Sequence, residues 1–317
     1  MLKLLASLLL FVGLSTQVII SAQAAEDVPY LLTASAKGDV ETVKALLESG
    51  VSANTKSEDN TTALMFAARK DQVEVVKLLL QKGADVNATD RGGWTALMMA
   101  VKKNSIASVD ALLAANADVT IRDRSGWSAL GLASTAGFAP IIDKLLANGI
   151  SANTTSDDGK SLLMLAAKNG DVATLAVLVT HEANVNAKDQ QSLTALMYAA
   201  RQGNQPAVAF LLDKKAAIDQ QDENEWTALT WAIKKQQVAT AEYLIAQGAN
   251  VNHYDSEKTS LLQLAVANNS EPIVKALLQN NAKVKARDQY GLTAYVYALK
   301  GKNANIIKMI KDAGGSY

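Results

Sequence analysis

Residues 83–104, GADVNATDRGGWTALMMAVKKN, carry the period of the whole chain. Trp94-Thr95-Ala96-Leu97 returns 33 residues later as Trp127-Ser128-Ala129-Leu130, and Trp226-Thr227-Ala228-Leu229 follows after another 99. The hydroxyl opening this stretch recurs at Thr62, Thr95, Ser128, Ser161, Thr194, Thr227, Ser260 and Thr293, with no insertion between copies. One step back lies a degenerate first copy, Pro29-Tyr30-Leu31. Self-similarity at fixed spacing marks stacked supersecondary units. Nine such units fill the chain, the last stopping at Ala313-Gly314.

Each unit repeats one pattern. In the second, Thr62 to Lys70 predicts a short helix with Leu64, Ala67 and Ala68 on one face. After a turn at Asp71-Gln72, Val73 to Gln81 predicts a second helix whose Val75, Val76, Leu78, Leu79 and Leu80 form a broad apolar face. Gly83 stands where a left-handed helix cap is expected, and Asp85 to Gly93 reads as a projecting hairpin. The hydroxyls at Thr62, Thr95, Ser128 and Ser161 sit where an N-cap would satisfy free amides. Pro140, Pro206 and Pro272 share a column near the start of the second helix, where the missing amide costs nothing. No unit buries its apolar face alone, so neighbours must stack.

The pattern resembles the ankyrin-repeat family over residues 27–317. Asp90, Gly93, Thr95, Leu97 and Ala100 match the family's first half, and Gly83 to Ala88 its second. The departure is systematic: the family's Pro is Ala63, Ala96, Ala129 or Leu162, and its His is often Met65, Met98, Met164 or Met197. That histidine normally ties hairpin to helix, so thioethers imply a more apolar seam between repeats. The resemblance implies an all-α repeat solenoid: nine stacked helix-turn-helix units with projecting β-hairpin loops, forming a single array over 25–317 with 27–56 and 313–317 as caps. A longer period lies within the short one, since GVSANTKSED at Gly50 returns as GISANTTSDD at Gly149, which points to duplication of a three-repeat module.

Composition narrows the function. Of 317 residues, 49% are hydrophobic and 20% charged, which fits a folded chain. The absence of cysteine excludes disulfides, thiolate catalysis and thiolate metal sites. Residues 1–24 read as a signal peptide: a basic start at Lys3, an apolar run broken by Ser7, Gly13, Ser15, Thr16 and Gln17, and Ala22-Gln23-Ala24 as the cleavage site. Periplasmic or secreted localisation follows, with no membrane insertion after cleavage near Ala24. The mature chain then carries 30 basic against 31 acidic residues, a balance that gives no reason to expect nucleic acid.

Catalytic patterns are missing. His181 and His253 are far apart, His181-Glu182 lacks zinc-helix spacing, and GWSALG opens a helix rather than a nucleophile elbow. Asp90, Asp123, Asp189, Asp222, Asp255 and Asp288 share one hairpin column and are expected to hold turns through their own backbone. The expectation is a non-enzyme without cofactor or metal.

What remains is a surface. In the family, first helices and hairpins line a concave face used for protein contacts. Arg69, Lys70, Lys102, Lys103, Lys168, Arg201, Lys234, Lys235 and Lys300 occupy two adjacent columns ending the first helices, and Trp94, Trp127 and Trp226 precede those helices on the same side. Rings beside cations are common binding hot spots. Two plainer readings stand beside this one: solvated cations at helix C-termini, and indoles packed between hairpins. Because Lys160, Leu193, Thr259 and Leu292 occupy the same column, the seam does not require an indole. The sequence thus reads as an exported module that binds an acidic protein through its concave face, in an immunity, inhibitor or protective accessory role. The alternative is an effector secreted onward to bind a eukaryotic host protein.

Overall fold

The computed structural model describes residues 30–156 and 158–317. The signal peptide and its cleavage site lie outside the described residues. Two compact units meet in sequence between Ile150 and Ser151.

The first unit contains four helical pairs: α1 (30–37) with α2 (Val40–Glu48), α3 (Ala63–Arg69) with α4 (Val73–Gln81), α5 (Ala96–Lys102) with α6 (Ile106–Ala114), and α7 (Ala129–Ala136) with α8 (Ala139–Ala147). Five pairs make up the second. They are α9 (Leu162–Asn169) with α10 (Val172–Thr180), α11 (Ala195–Gln202) with α12 (Gln205–Asp213), α13 (Ala228–Lys234) with α14 (Val238–Ala246), α15 (Leu261–Ala267) with α16 (Glu271–Gln279), and α17 (Ala294–Gly301) with α18 (Ala304–Asp312). Within each unit, first helices stack on first helices and second on second: α3, α5 and α7 in one row, α4, α6 and α8 in the other. The second unit has two rows of its own, α9, α11, α13, α15 and α17 in one and α10, α12, α14, α16 and α18 in the other.

The helix boundaries fall where the sequence predicts them, for the predicted reasons. Thr62, Thr95, Ser128 and Ser161 are N-caps in extended conformation, each accepting the amide three residues on. Pro140, Pro206 and Pro272 lie in the first turns of α8, α12 and α16. Gly83 takes φ +81° beyond the end of α4. On α4 itself, Val75, Val76 and Leu79 are buried, while Leu78 and Leu80 are half-buried, so the apolar face is narrower than its composition suggests.

The Met column behaves as the sequence implies and does one thing more. Met65, Met98, Met164 and Met197 are buried between helices. The Met65 and Met164 sulfurs also accept the N-cap amides of Thr62 and Ser161, at 3.4 and 3.3 Å. At the same column Gln263 accepts the Ser260 amide and donates from Nε2 to the Leu292 carbonyl, 2.7 Å away in the next repeat.

Projecting connections are tight turns, and among the described residues they carry no strand. Each hairpin is reduced to at most one bridge, as at Lys56–Thr62, Arg122–Ser128 and Tyr254–Ser260. Their backbone polar groups are satisfied by asparagines that span repeats. Asn54 accepts the Asp85 amide at 2.6 Å and donates to the Gly83 carbonyl, and Asn87 accepts the Asp118 amide at 2.7 Å. In the second unit Asn153 and Asn252 repeat the full pattern, accepting the amides of Asn184 and Lys283 and donating to the carbonyls of Glu182 and Asn281. Such bonds satisfy the main chain of segments too short to pair with themselves.

Candidate functional site: a cation and aromatic face

The aspartate column organises the turns that carry the tryptophans. Asp90 Oδ1 accepts the amides of Gly92 and Trp94, at 2.8 and 2.9 Å. Asp123, Asp189, Asp222, Asp255 and Asp288 do the same for the amides two and four residues on. The residue four places after each aspartate is therefore fixed at the mouth of the first helix. That is the position of Trp94, Trp127 and Trp226.

Nine residues after the aspartate lies a position on the first helix that the sequence reading did not single out. Where it holds a ring with a donor, it bonds the second carboxylate oxygen. Tyr198 Oη donates to Asp189 Oδ2 at 2.8 Å, Trp231 Nε1 to Asp222 Oδ2 at 2.9 Å, and Tyr297 Oη to Asp288 Oδ2 at 2.7 Å. Burial and the Asp189 carboxylate hold the Tyr198 phenol far above its ordinary range. The bond to Asp288, reinforced by burial, pushes Tyr297 up to about 12. Burial works to raise Asp288, but the phenol, two backbone amides and Lys300 outweigh it and keep its carboxyl low.

Arg69, Lys102, Lys168, Arg201, Lys234 and Lys300 all lie in the last turn of a first helix, where a cation suits the helix dipole. Lys70, Lys103 and Lys235 are the adjoining C-caps. Among the described residues none of these nine cations pairs with a carboxylate. Several stand over ring faces instead. In the first unit Arg69 lies 4.8 Å from the Phe66 ring centre and Lys102 5.0 Å from Trp94. In the second, Lys234 is 3.6 Å from Trp226, Arg201 4.6 Å from Trp231 and Lys300 5.7 Å from Tyr297.

The three tryptophans therefore differ. Trp94 and Trp226 each meet a lysine eight residues on. Trp127 has Thr135 at that place, and no cation stands over its ring among the described residues. Its indole lies near Gly131 and is 37% exposed. Lys168 carries no ring beneath it among the described residues either. Trp226 meets Trp231 edge to face, with centres 4.9 Å apart.

Beside Trp94 the surface opens into a pocket of about 400 Å³ lined by Arg69, Asp90, Trp94, Met99, Lys102 and Lys103. No group of His, Asp or Glu among the described residues is placed to hold a metal ion. No helix there is long and apolar enough to cross a membrane. The family model described as ankyrin repeats (3 copies) matches residues 31–123, 119–189, 163–255 and 239–316. No curated protein matches the chain.

Proposed function

Because the chain belongs to the ankyrin-repeat family, whose arrays generally serve as protein–protein interaction modules, we propose that it is an exported, non-enzymatic module. It docks an acidic protein on the ends of the first helices, which carry ring and cation together within each unit. One observation carries this reading: exposed Lys102 and Lys234 lie over the rings of Trp94 and Trp226, and neither is neutralised by a carboxylate among the described residues. A cation held on a ring keeps its charge and loses part of its rotamer freedom in advance, so less is lost when a carboxylate arrives. The cations also steer an acidic partner during diffusion. The export part of the proposal rests on the leader-like residues 1–24.

The test uses the purified chain as bait in envelope extract of its own host, beside the Lys102→Glu, Lys103→Glu, Lys234→Glu, Lys235→Glu variant. The expected result is one acidic protein retained by the wild type, released by added salt and lost by the variant. Equal capture by both baits, insensitive to salt, would place docking elsewhere. Fractionation with amino-terminal sequencing tests export: the expected product begins near Ala25 and stays in the envelope fraction.

A further inference from the structure

The Trp94 pocket has a counterpart 132 residues downstream. Arg69, Asp90, Trp94, Lys102 and Lys103 recur as Arg201, Asp222, Trp226, Lys234 and Lys235, each four repeats on. One position changes: Met99 becomes Trp231. In the second unit the Trp231 indole fills the cluster. Its Nε1 bonds Asp222 Oδ2, its edge meets Trp226, and Arg201 covers its face. In the first unit Met99, which has no ring and no donor, lines the pocket with Arg69, Asp90, Trp94, Lys102 and Lys103. Asp90 Oδ2 has no hydrogen-bond donor among the described residues, and Asp90 lines the open pocket.

We propose that this pocket receives an aromatic donor side chain, Trp or Tyr, from an acidic segment of the partner, completing in trans the arrangement that Trp231 completes in cis. The proposal rests on the docking face described above and specifies what one part of it reads. The ring enters over Met99 and meets the Trp94 indole. Its N–H or O–H donates to Asp90 Oδ2, and the Arg69 guanidinium covers it from the preceding repeat. Tyr198 and Tyr297 show that a phenol serves the same oxygen as well as an indole. Lys102 and Lys103 then face the residues flanking the ring, where carboxylates fit them. A carboxylate at the bottom of the pocket disfavours an acidic side chain inside it, so the anionic residues belong on the flanks and the ring at the centre. Asp123 and Asp255 also lack a ring nine residues on, but Leu132 and Leu264 follow them, and the last turns of α7 and α15 carry no cation to meet the carboxylates flanking an incoming ring.

Three acetylated peptide amides serve as probes: Glu-Glu-Trp-Glu-Glu, the same peptide with naphthylalanine at the centre, and the same with Ala. Naphthylalanine keeps the ring and removes the donor. Binding to the full chain is followed by nitrogen–proton correlation spectra at low and high salt. The expected result is that the Trp peptide shifts the Trp94 indole signal and binds about tenfold tighter than the naphthylalanine peptide, one charge-assisted hydrogen bond, with the Ala peptide weakest. Met99→Trp should erase the preference by plugging the pocket, leaving all three peptides bound alike through charge. Asp90→Asn keeps the turn acceptor and presents an amide N–H₂ to the ring, so it should erase the difference between Trp and naphthylalanine even if Met99→Trp folds poorly. Equal, salt-dependent affinity of the Trp and Ala peptides for the wild type would overturn the pocket while leaving the docking face intact. Binding of no peptide at low salt, or binding untouched by Lys102→Glu with Lys103→Glu, would overturn both.

Discussion

Trp231→Met gives the second unit the composition of the first, and its cost follows from what the indole does. The substitution removes the bond from Nε1 to Asp222 Oδ2, formed at 2.9 Å to a carboxylate only 6% exposed. A bond to a charged group contributes about 1.5–3 kcal/mol. The edge contact with Trp226 at 4.9 Å adds about 0.5–1.5 kcal/mol, and the Arg201 contact at 4.6 Å about 0.5–2 kcal/mol. These terms share one ring and overlap, so the expected loss is about 3–4 kcal/mol, at the upper end for single substitutions. Trp94→Leu is the control. Its ring is half-exposed and its cation contact with exposed Lys102 is worth about 0.5–1 kcal/mol. Urea unfolding followed by helical dichroism measures both. A repeat array contacts only its neighbours, so a separate early transition in the Trp231→Met variant fits the account as well as a shift of the whole curve. A cost below about 1 kcal/mol for Trp231→Met, or equal costs for the two variants, would refute the division between a structural indole and a surface one.

Other expectations follow from the same geometry. The Tyr297 phenol sits up at about 12 against an ordinary 10.0. The folded state therefore holds this proton more tightly, which contributes stability in full below about pH 10 and loses it as pH rises through 12. Tyr297→Phe should flatten the alkaline unfolding profile over that window, and a phenolate absorbance titration should lose a component near 12, ahead of the later Tyr198 phenol. An unchanged profile would place the phenol outside the Asp288 bond. Gln263→Met should cost less than Gln263→Ala, about 1 against 2–4 kcal/mol in thermal unfolding, because the thioether at the same column caps Thr62 and Ser161 elsewhere. Equal costs would show that the sulfur contributes nothing at these caps.

The periodic part of the structure was legible because it depends on local chemistry. The hydroxyl caps, the first-turn prolines, the left-handed Gly83 and the turn-holding aspartates each work within a few residues of themselves. What the tryptophans do depends on which neighbour each ring reaches after folding. The lysine eight residues beyond Trp94 and Trp226, and its replacement by Thr135 after Trp127, could have been read in advance, and this separates Trp127 from the other two. Trp231 left no comparable mark. Its column also holds Phe66, Met99 and Leu132, and only the folded turn brings an aspartate oxygen within reach of it. The hairpins looked longer in sequence than they are in space, because the asparagines satisfy their main chain across repeats and strand pairing is not needed.

The most direct test of the docking face is amide hydrogen exchange of the array with and without the captured acidic partner. Added protection is expected at residues 90–103 and 222–235, the two stretches that carry ring and cation together, with the second helices α4, α6, α12 and α14 unchanged. Protection confined to those second helices, with Trp94 and Trp226 exchanging as in the free chain, would contradict it.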